Sequence, residues 1–304
     1  MALLAGMAAL IIFAICVVRF TGGAKEEIEE TPNRMVSLGK RLDNGTKLQF
    51  KFDLGCHMLF AGETGFGKSN EINYLISQLA SYAEVQFMIA SGKSGTDFLH
   101  WLPRASTIAI GPNATDKMVD SAIGILETRY AVLMPGGDVD TAEGMHSLMT
   151  AQRKVTITNE LPLIAVIVDE FVEYMNAPDG AKRARKLHRI ATTGRAVGIV
   201  LILATQRPSQ WSSPTDIREN LPYHVSFRLD KYGTDMIFGK GAMNNVSLDR
   251  LGIPGYGYAI VPGELDPVPF IAPEVSEAYC GGIAWESARL RRSLDKSKHL
   301  IKDI

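Results

Sequence analysis

The sequence predicts an α/β fold: a central, mostly parallel sheet covered by helices. Three observations lead there. Short apolar runs rich in β-branched residues alternate with longer stretches whose apolar residues recur at helical spacing. Residues 164–168 and 199–204 are apolar throughout, as expected of strands buried on both faces. A glycine-rich phosphate-loop pattern sits between one such run and a helical stretch. At 304 residues the chain holds one large domain or two modest ones.

The elements follow in order. Residues 2–18 carry no charge, and Arg19 and Lys25 come after them. This run reaches the short end of what crosses a bilayer. A secretory signal normally begins with basic residues, and none precedes Ala2; a partner-binding helix is the other alternative. We read residues 1–20 as a single-pass cell-membrane anchor, with the body on the cytoplasmic side because the positive charges follow the run. Residues 21–39, which begin rich in Gly, Lys and Glu, form a linker. The main domain spans residues 40–275. Within it, residues 58–61 are a strand, 68–81 a helix and 85–90 a second strand. Met118, Ala122, Ile125, Leu126, Tyr130 and Leu133 line one face of a further helix. Residues 135–144 form a Pro- and Gly-rich surface excursion. Its Asp138, Asp140 and Glu143 lack the glycine and final glutamate of a calcium loop. Residues 276–304 form a basic helical tail with Arg289, Arg291, Arg292, Lys296, Lys298 and Lys302, in which Leu290, Leu294 and Ile301 share a face. Such a tail packs or is solvated; contact with nucleic acid or anionic lipid is the alternative.

Composition narrows the class. Charged residues make up 21 % and hydrophobic ones 46 %, a globular balance. The net charge of −1 gives no overall field for nucleic acid, although a ring can be basic on its inner face alone. Cys16, Cys56 and Cys280 match no zinc spacing and read as buried or free thiols of a reducing compartment. The six histidines show no ligand spacing.

Gly62-Glu63-Thr64-Gly65-Phe66-Gly67-Lys68-Ser69 fits G-x-x-x-x-G-K-[ST]. The glycines let the chain curl so that backbone N–H groups face phosphate oxygens, and the helix that follows adds the positive end of its dipole. Lys68 is placed to reach the β- and γ-phosphates and Ser69 to offer its hydroxyl to Mg²⁺, so ATP and Mg²⁺ are the expected ligands. Gly92-Lys93-Ser94 repeats G-K-S, but Phe87 stands where a second loop needs its first glycine. Residues 164–168 end in Asp169 and Glu170. Asp169 suits the Mg²⁺ shell and Glu170 suits the general base that polarises water. A second carboxylate favours an ATPase over a small-molecule kinase. Gln206 follows the run at 198–204 and fits a sensor of the γ-phosphate and lytic water; a glutamine that merely begins a loop is the alternative.

Several stretches together resemble the FtsK/SpoIIIE family of hexameric DNA translocases. Gly194-Arg195-Ala196-Val197-Gly198-Ile199 runs into Ala204-Thr205-Gln206-Arg207-Pro208-Ser209, and Leu161-Pro162 precedes the Asp169 strand. Ile217-Arg218-Glu219-Asn220-Leu221-Pro222 stands ahead of Phe227-Arg228, and Leu126-Glu127-Thr128-Arg129-Tyr130 also matches. The resemblance covers roughly residues 40–275. It implies a RecA-like motor domain, a homo-oligomeric, hexameric ring, ATP bound between subunits and double-stranded DNA as substrate. The chain departs from the family at Glu63 and Phe66, where small residues are usual, and at Ser91-Gly92-Lys93. Thr234-Asp235-Met236 lacks the arginine that often acts on the neighbouring subunit, which leaves Arg195, Arg207 and Arg228 as candidates for that trans-acting role. With one expected anchor and no room for a sequence-reading winged helix, the layout resembles short conjugative-transfer members of mobile elements in Gram-positive bacteria. Alternatives are an ATPase of the same superfamily for protein secretion or for viral genome packaging or extrusion, and a weakly hydrolysing, nucleotide-gated membrane scaffold.

Overall fold

Periodicity, pairing and burial account for most of the architecture seen in a computed structural model, which describes residues 33–92, 97–133, 154–206, 208, 216–243, 246, 248–294 and 300–302. The expected anchor, nearly all of the linker up to residue 32, the excursion at 135–144 with its acids, Arg207, Lys296 and Lys298 lie outside the described residues. No helix among the described residues is long and apolar enough to cross a membrane.

The chain first forms a hairpin of β1 (Met35–Arg41) and β2 (Lys47–Lys51). β3 (Met58–Ala61) then leads through the glycine loop into α1 (Lys68–Leu79). β4 (Val85–Ser91), β5 (Thr107–Ile110) and the long α2 (Pro112–Leu133) follow. β6 (Leu163–Asp169) precedes α3 (Phe171–Asn176) and α4 (Gly180–Thr193). β7 (Ile199–Thr205), the short α5 (Asp216–Glu219), β8 (Tyr223–Ser226) and α6 (Lys231–Phe238) come next. β9 (Tyr256–Ile260), β10 (Val268–Ile271), α7 (Glu277–Glu286) and β11 (Leu300–Lys302) end the series.

These strands form one sheet in the order β11-β5-β4-β6-β7-β3-β8-β9-β10-β1-β2. From β11 to β8 the pairing is parallel. From β8 to β2 it is antiparallel. Every residue of β3, β4, β6 and β7 is buried, and alternate side chains enter two separate cores. Phe60, Phe87, Ile167 and Ile202 point to the face covered by α1 and α7. Leu59, Met88, Val168 and Leu203 point to the face covered by α2, α3 and α4. That two-sided burial is why these runs carry no polar alternation. β2 alternates exposed and buried residues, as an edge strand with one solvated face does.

Two expected boundaries need correction. Residues 35–39 are part of β1, whose Val36 and Leu38 are buried, so the linker does not extend to residue 39. The tail is not one helix: α7 stops at Glu286, Ala288–Leu290 makes a single 3₁₀ turn, and Ile301 lies in β11. β11 lengthens the sheet by pairing with β5, and Leu294 packs against the core on the α2 side. Both segments belong to the compact unit Arg34–Ile304. Cys56 and Cys280 are free and buried, as expected of isolated thiols.

Candidate functional site

The carboxyl ends of β3, β6 and β7 converge, because the three strands are neighbours and run parallel. Open α/β sheets bind ligands beyond these ends. Here the glycine loop leaves β3. Gly65 and Gly67 take φ of 83° and 113°, a region open to glycine at little cost, and Gly67 leads directly into Lys68 at the start of α1. Gly62 N–H donates to Thr205 O at 3.3 Å, which fastens the loop to the end of β7.

Lys68 is 3 % exposed and reaches across to the end of β6. Its Nζ donates to Asp169 Oδ1 and lies 3.1 Å from Glu170 Oε1. Burial alone would lower the lysine pKa, but the charges of Asp169 and Glu170 outweigh it and leave the value raised. Asp169 Oδ2 is buried and has no hydrogen-bond partner among the described residues. Glu170 sits at φ 51°, a left-handed conformation, where β6 turns into α3. Its Oε2 accepts the backbone N–H of Gln206 at 3.1 Å, and the Gln206 side-chain Oε1 accepts from Thr64 Oγ1 at 2.8 Å. Gln206 therefore bridges the phosphate loop and Glu170, the residue that follows β6.

Glu63, Thr64, Gly65, Gly67, Lys68, Ser69 and Gln206 line a cleft of about 650 Å³. Asn70, Asp97, Pro254, Gly255, Ala272 and Glu274 complete its wall, and no motif in the sequence marks them for the site. The Asn70 side chain donates to Pro273 O and accepts from Val275 N–H, each at 2.8 Å, so it ties α1 to the segment between β10 and α7. No local pattern announces contacts more than two hundred residues apart. Glu71, one turn into α1, is fully buried with both carboxyl oxygens unpartnered among the described residues. Burial holds its pKa well above the usual carboxylate range.

Hard oxygen donors suit Mg²⁺, which typically takes one or two carboxylates together with phosphate and water. The unpartnered Asp169 oxygen and the loop's Ser69 supply that chemistry, so these residues fit the ion.

The three candidate arginines part company. Arg195 is exposed on the 3₁₀ turn Gly194–Val197, ahead of β7 and at the opposite end of the sheet from the cleft. Arg228 follows β8 beside its own phosphate loop, with Nε 3.2 Å from Glu63 Oε2. Arg207 is outside the described residues. Gly92 ends up as a neighbour of the β6 acids, donating its N–H to Asp169 O at 2.7 Å.

Three of the family-like stretches meet at one buried residue. Arg129, from α2, donates to Val197 O at 2.7 Å and to Pro162 O at 2.8 Å. Gly198, at φ 72°, would set a Cβ 3.1 Å from the Arg129 guanidinium and 2.7 Å from Ile157, which is why glycine stands there. This combination holds the strand starts of β6 and β7 together and is remote from the cleft.

The FtsK/SpoIIIE family model matches residues 23–210. A DNA translocase FtsK of Halalkalibacterium halodurans is 30 % identical over 204 residues, covering 62 % of this chain and 26 % of that protein. The DNA translocase FtsK of Streptococcus pneumoniae is 30 % identical over 229 residues, covering 68 % and 29 %. The chain thus spans between a quarter and three tenths of these relatives' length. Among solved structures, the cytoplasmic domain of the Thermomonospora curvata type VII secretion ATPase EccC aligns with TM-score 0.65 at 22 % identity, over 88 % of this chain and 32 % of that one. The pCW3 conjugation coupling protein TcpA, in its monomer form with ATPγS, aligns with TM-score 0.64 at 20 % identity, over 88 % and 73 %. The chain belongs to the FtsK/SpoIIIE family.

Proposed function

We propose that this member of the FtsK/SpoIIIE family is an ATPase that drives double-stranded DNA through a ring of identical subunits, six by resemblance. The observation that carries this reading is the buried cluster of Lys68, Asp169, Glu170 and Gln206 at one end of the sheet, within a chain of this family. The motor body is held at the cell membrane by residues 1–20, on the cytoplasmic side. The process served is conjugative or mobile-element DNA transfer, a reading that the structural likeness to a conjugation coupling protein supports.

Each residue has a definite task. Backbone N–H groups of residues 62–69 receive the phosphates. Lys68 exchanges its two carboxylates for the β- and γ-phosphates, one set of charge-assisted bonds for another. Ser69 and Asp169 would hold Mg²⁺, which would neutralise phosphate charge. Glu170 takes the proton of the attacking water. Gln206, fixed between Thr64 and Glu170, orients that water and reads the γ-phosphate. A neighbouring subunit's arginine is the proposed source of charge in trans; Arg195 and Arg207 are the candidates, because Arg228 is engaged with Glu63 of its own loop.

The test is ATP turnover of assembled rings, titrated with linear duplex of arbitrary sequence at about 50 and about 200 mM salt. Duplex should stimulate turnover, and the higher salt should weaken the effect steeply because phosphate contacts release counterions. Turnover that ignores duplex but answers to a secretion signal peptide transfers the cargo to protein.

A further inference from the structure

A carboxylate on a loop that receives a triphosphate opposes its own ligand. Glu63 is such a group: it lines the cleft beside Lys68 and Ser69. Three contacts tie it and its loop to one residue. Arg228 Nε lies 3.2 Å from Glu63 Oε2, and the Arg228 carbonyl accepts the Glu63 N–H at 2.9 Å. The Arg228 guanidinium also lies over the Phe66 ring, 4.9 Å from its centroid. Phe66 in turn packs against the core on the α1 side, and its carbonyl accepts Gly255 N–H at 3.0 Å. The turn between them is closed by Phe66 N–H donating to Glu63 O at 3.3 Å. A planar guanidinium can stack on a ring and meet a carboxylate at once, which an ammonium does poorly.

We propose that Arg228 acts within its own subunit as the positioning residue of the phosphate loop. It cancels the Glu63 charge at the mouth of the cleft and presses Phe66 onto the core, so the loop keeps the shape that accepts an anion. This rests on the nucleotide reading of the cleft. A guanidinium engaged in this way is withdrawn from a neighbour's site, so the cis and trans roles make opposite predictions.

The experiment uses the full chain in detergent, a fluorescent ATP analogue with Mg²⁺ for equilibrium affinity, and steady-state turnover. Arg228→Ala should weaken binding and raise KM about five- to tenfold, the scale of one exposed ion pair together with one cation–π contact. Its kcat at saturating ATP should stay within about twofold of the unmodified chain. Arg228→Lys should recover part of the affinity. The decisive variant is Glu63→Ala with Arg228→Ala: removing the acid should return affinity to within about threefold of the starting value, because no uncompensated charge is left and only the lost ring contact remains. If Arg228→Ala fails to fold, Arg228→Gln with and without Glu63→Ala makes the same comparison. Unchanged affinity in Arg228→Ala overturns the proposal. So does a loss of kcat at normal affinity that Glu63→Ala does not restore, which is the signature of a trans role. If the unmodified chain binds no nucleotide, the nucleotide reading falls and takes this proposal with it; if it binds and the variants do not differ, only the clamp falls.

Discussion

Arg104 and Arg129, at one end of the parallel sheet, and Lys68, at the other, are buried against opposite kinds of partner. At the amino ends of the strands, Arg104 and Arg129 are buried without a carboxylate and spend their donors on carbonyls. Arg104 donates to Ala80, Val85 and Tyr82 carbonyls at 2.9, 2.7 and 3.0 Å, joining the end of α1 to the start of β4. Arg129 does the same for β6 and β7. Burial pushes both guanidinium groups down to about 10. At the carboxyl ends, Lys68 faces two acids, and an Asp169 oxygen is left without a hydrogen bond among the described residues. Backbone carbonyls are permanent partners that no ligand displaces. Carboxylates facing an ammonium can exchange it for a metal and a phosphate. The two arginines have fixed partners; Lys68 has partners that a ligand could replace.

The largest expected effect tests the exchanging end. Lys68→Ala should lower turnover by about a thousandfold or more, the upper range for one contact to transition-state charge. The structure adds a stability cost, since Asp169 and Glu170 lose their buried counter-charge. A variant that turns over ATP normally would break the comparison at its functional end. Arg129→Met should show the reverse. Leaving the Val197 and Pro162 carbonyls unmet in the interior should cost about 3 kcal/mol of stability. Turnover per folded molecule should hardly move, and urea midpoints beside active-site titration would show it.

Glu170→Gln comes next. Nucleotide should still bind while turnover falls about a hundredfold, roughly 2.7 kcal/mol in the barrier. Lost binding instead would make Glu170 a part of the ground-state site. The smallest effect sharpens the static end. His57 is buried, and its Nδ1 accepts Leu201 N–H at 2.8 Å, so the fold needs the neutral ring. Burial, helped by the charge of Arg195, holds its pKa down to about 4. The unfolded chain, near the usual value of about 6.5, therefore takes the proton first. Stability is complete above about pH 6.5 and declines as pH falls toward 4, by about 2 kcal/mol at pH 5 from this residue. His57→Gln retains an acceptor without the titration and should lessen the fall of the urea midpoint between pH 7 and 5; His224, also held down to about 4 by burial, keeps its own share. An unaltered pH slope would show that His57 is not the group responsible.

The same contrast explains what could be read in advance. Lys68, Ser69, Asp169 and Glu170 lie at the borders of strands and helices whose periodicity is local, so their types and spacing point to phosphate and metal chemistry on sight. The alternation of fully apolar runs foretold the parallel core for the same reason. Arg129 was visible merely as part of a family-like stretch; its task emerges when α2 is laid across the starts of β6 and β7. Gln206 admits two readings from its local sequence, and its 2.8 Å contact with Thr64, 142 positions away, is visible only in the tertiary structure.

What the sequence by itself determined is the set of elements with their own period and the chemistry that occupies their ends. The tertiary structure alone decided the antiparallel extension β9-β10-β1-β2, the strand β11 within a tail expected to be helical, and the engagement of Arg228 with its own loop. Three residues such as Leu300–Lys302 are too few to carry a period; they extend because the edge of β5 offers backbone donors and acceptors that need partners. Arg228 and Glu63 meet across 165 positions because β3 and β8 are paired, and pairing between distant strands is written in the sum of burial and hydrogen bonding over the whole sheet, not in any window of residues.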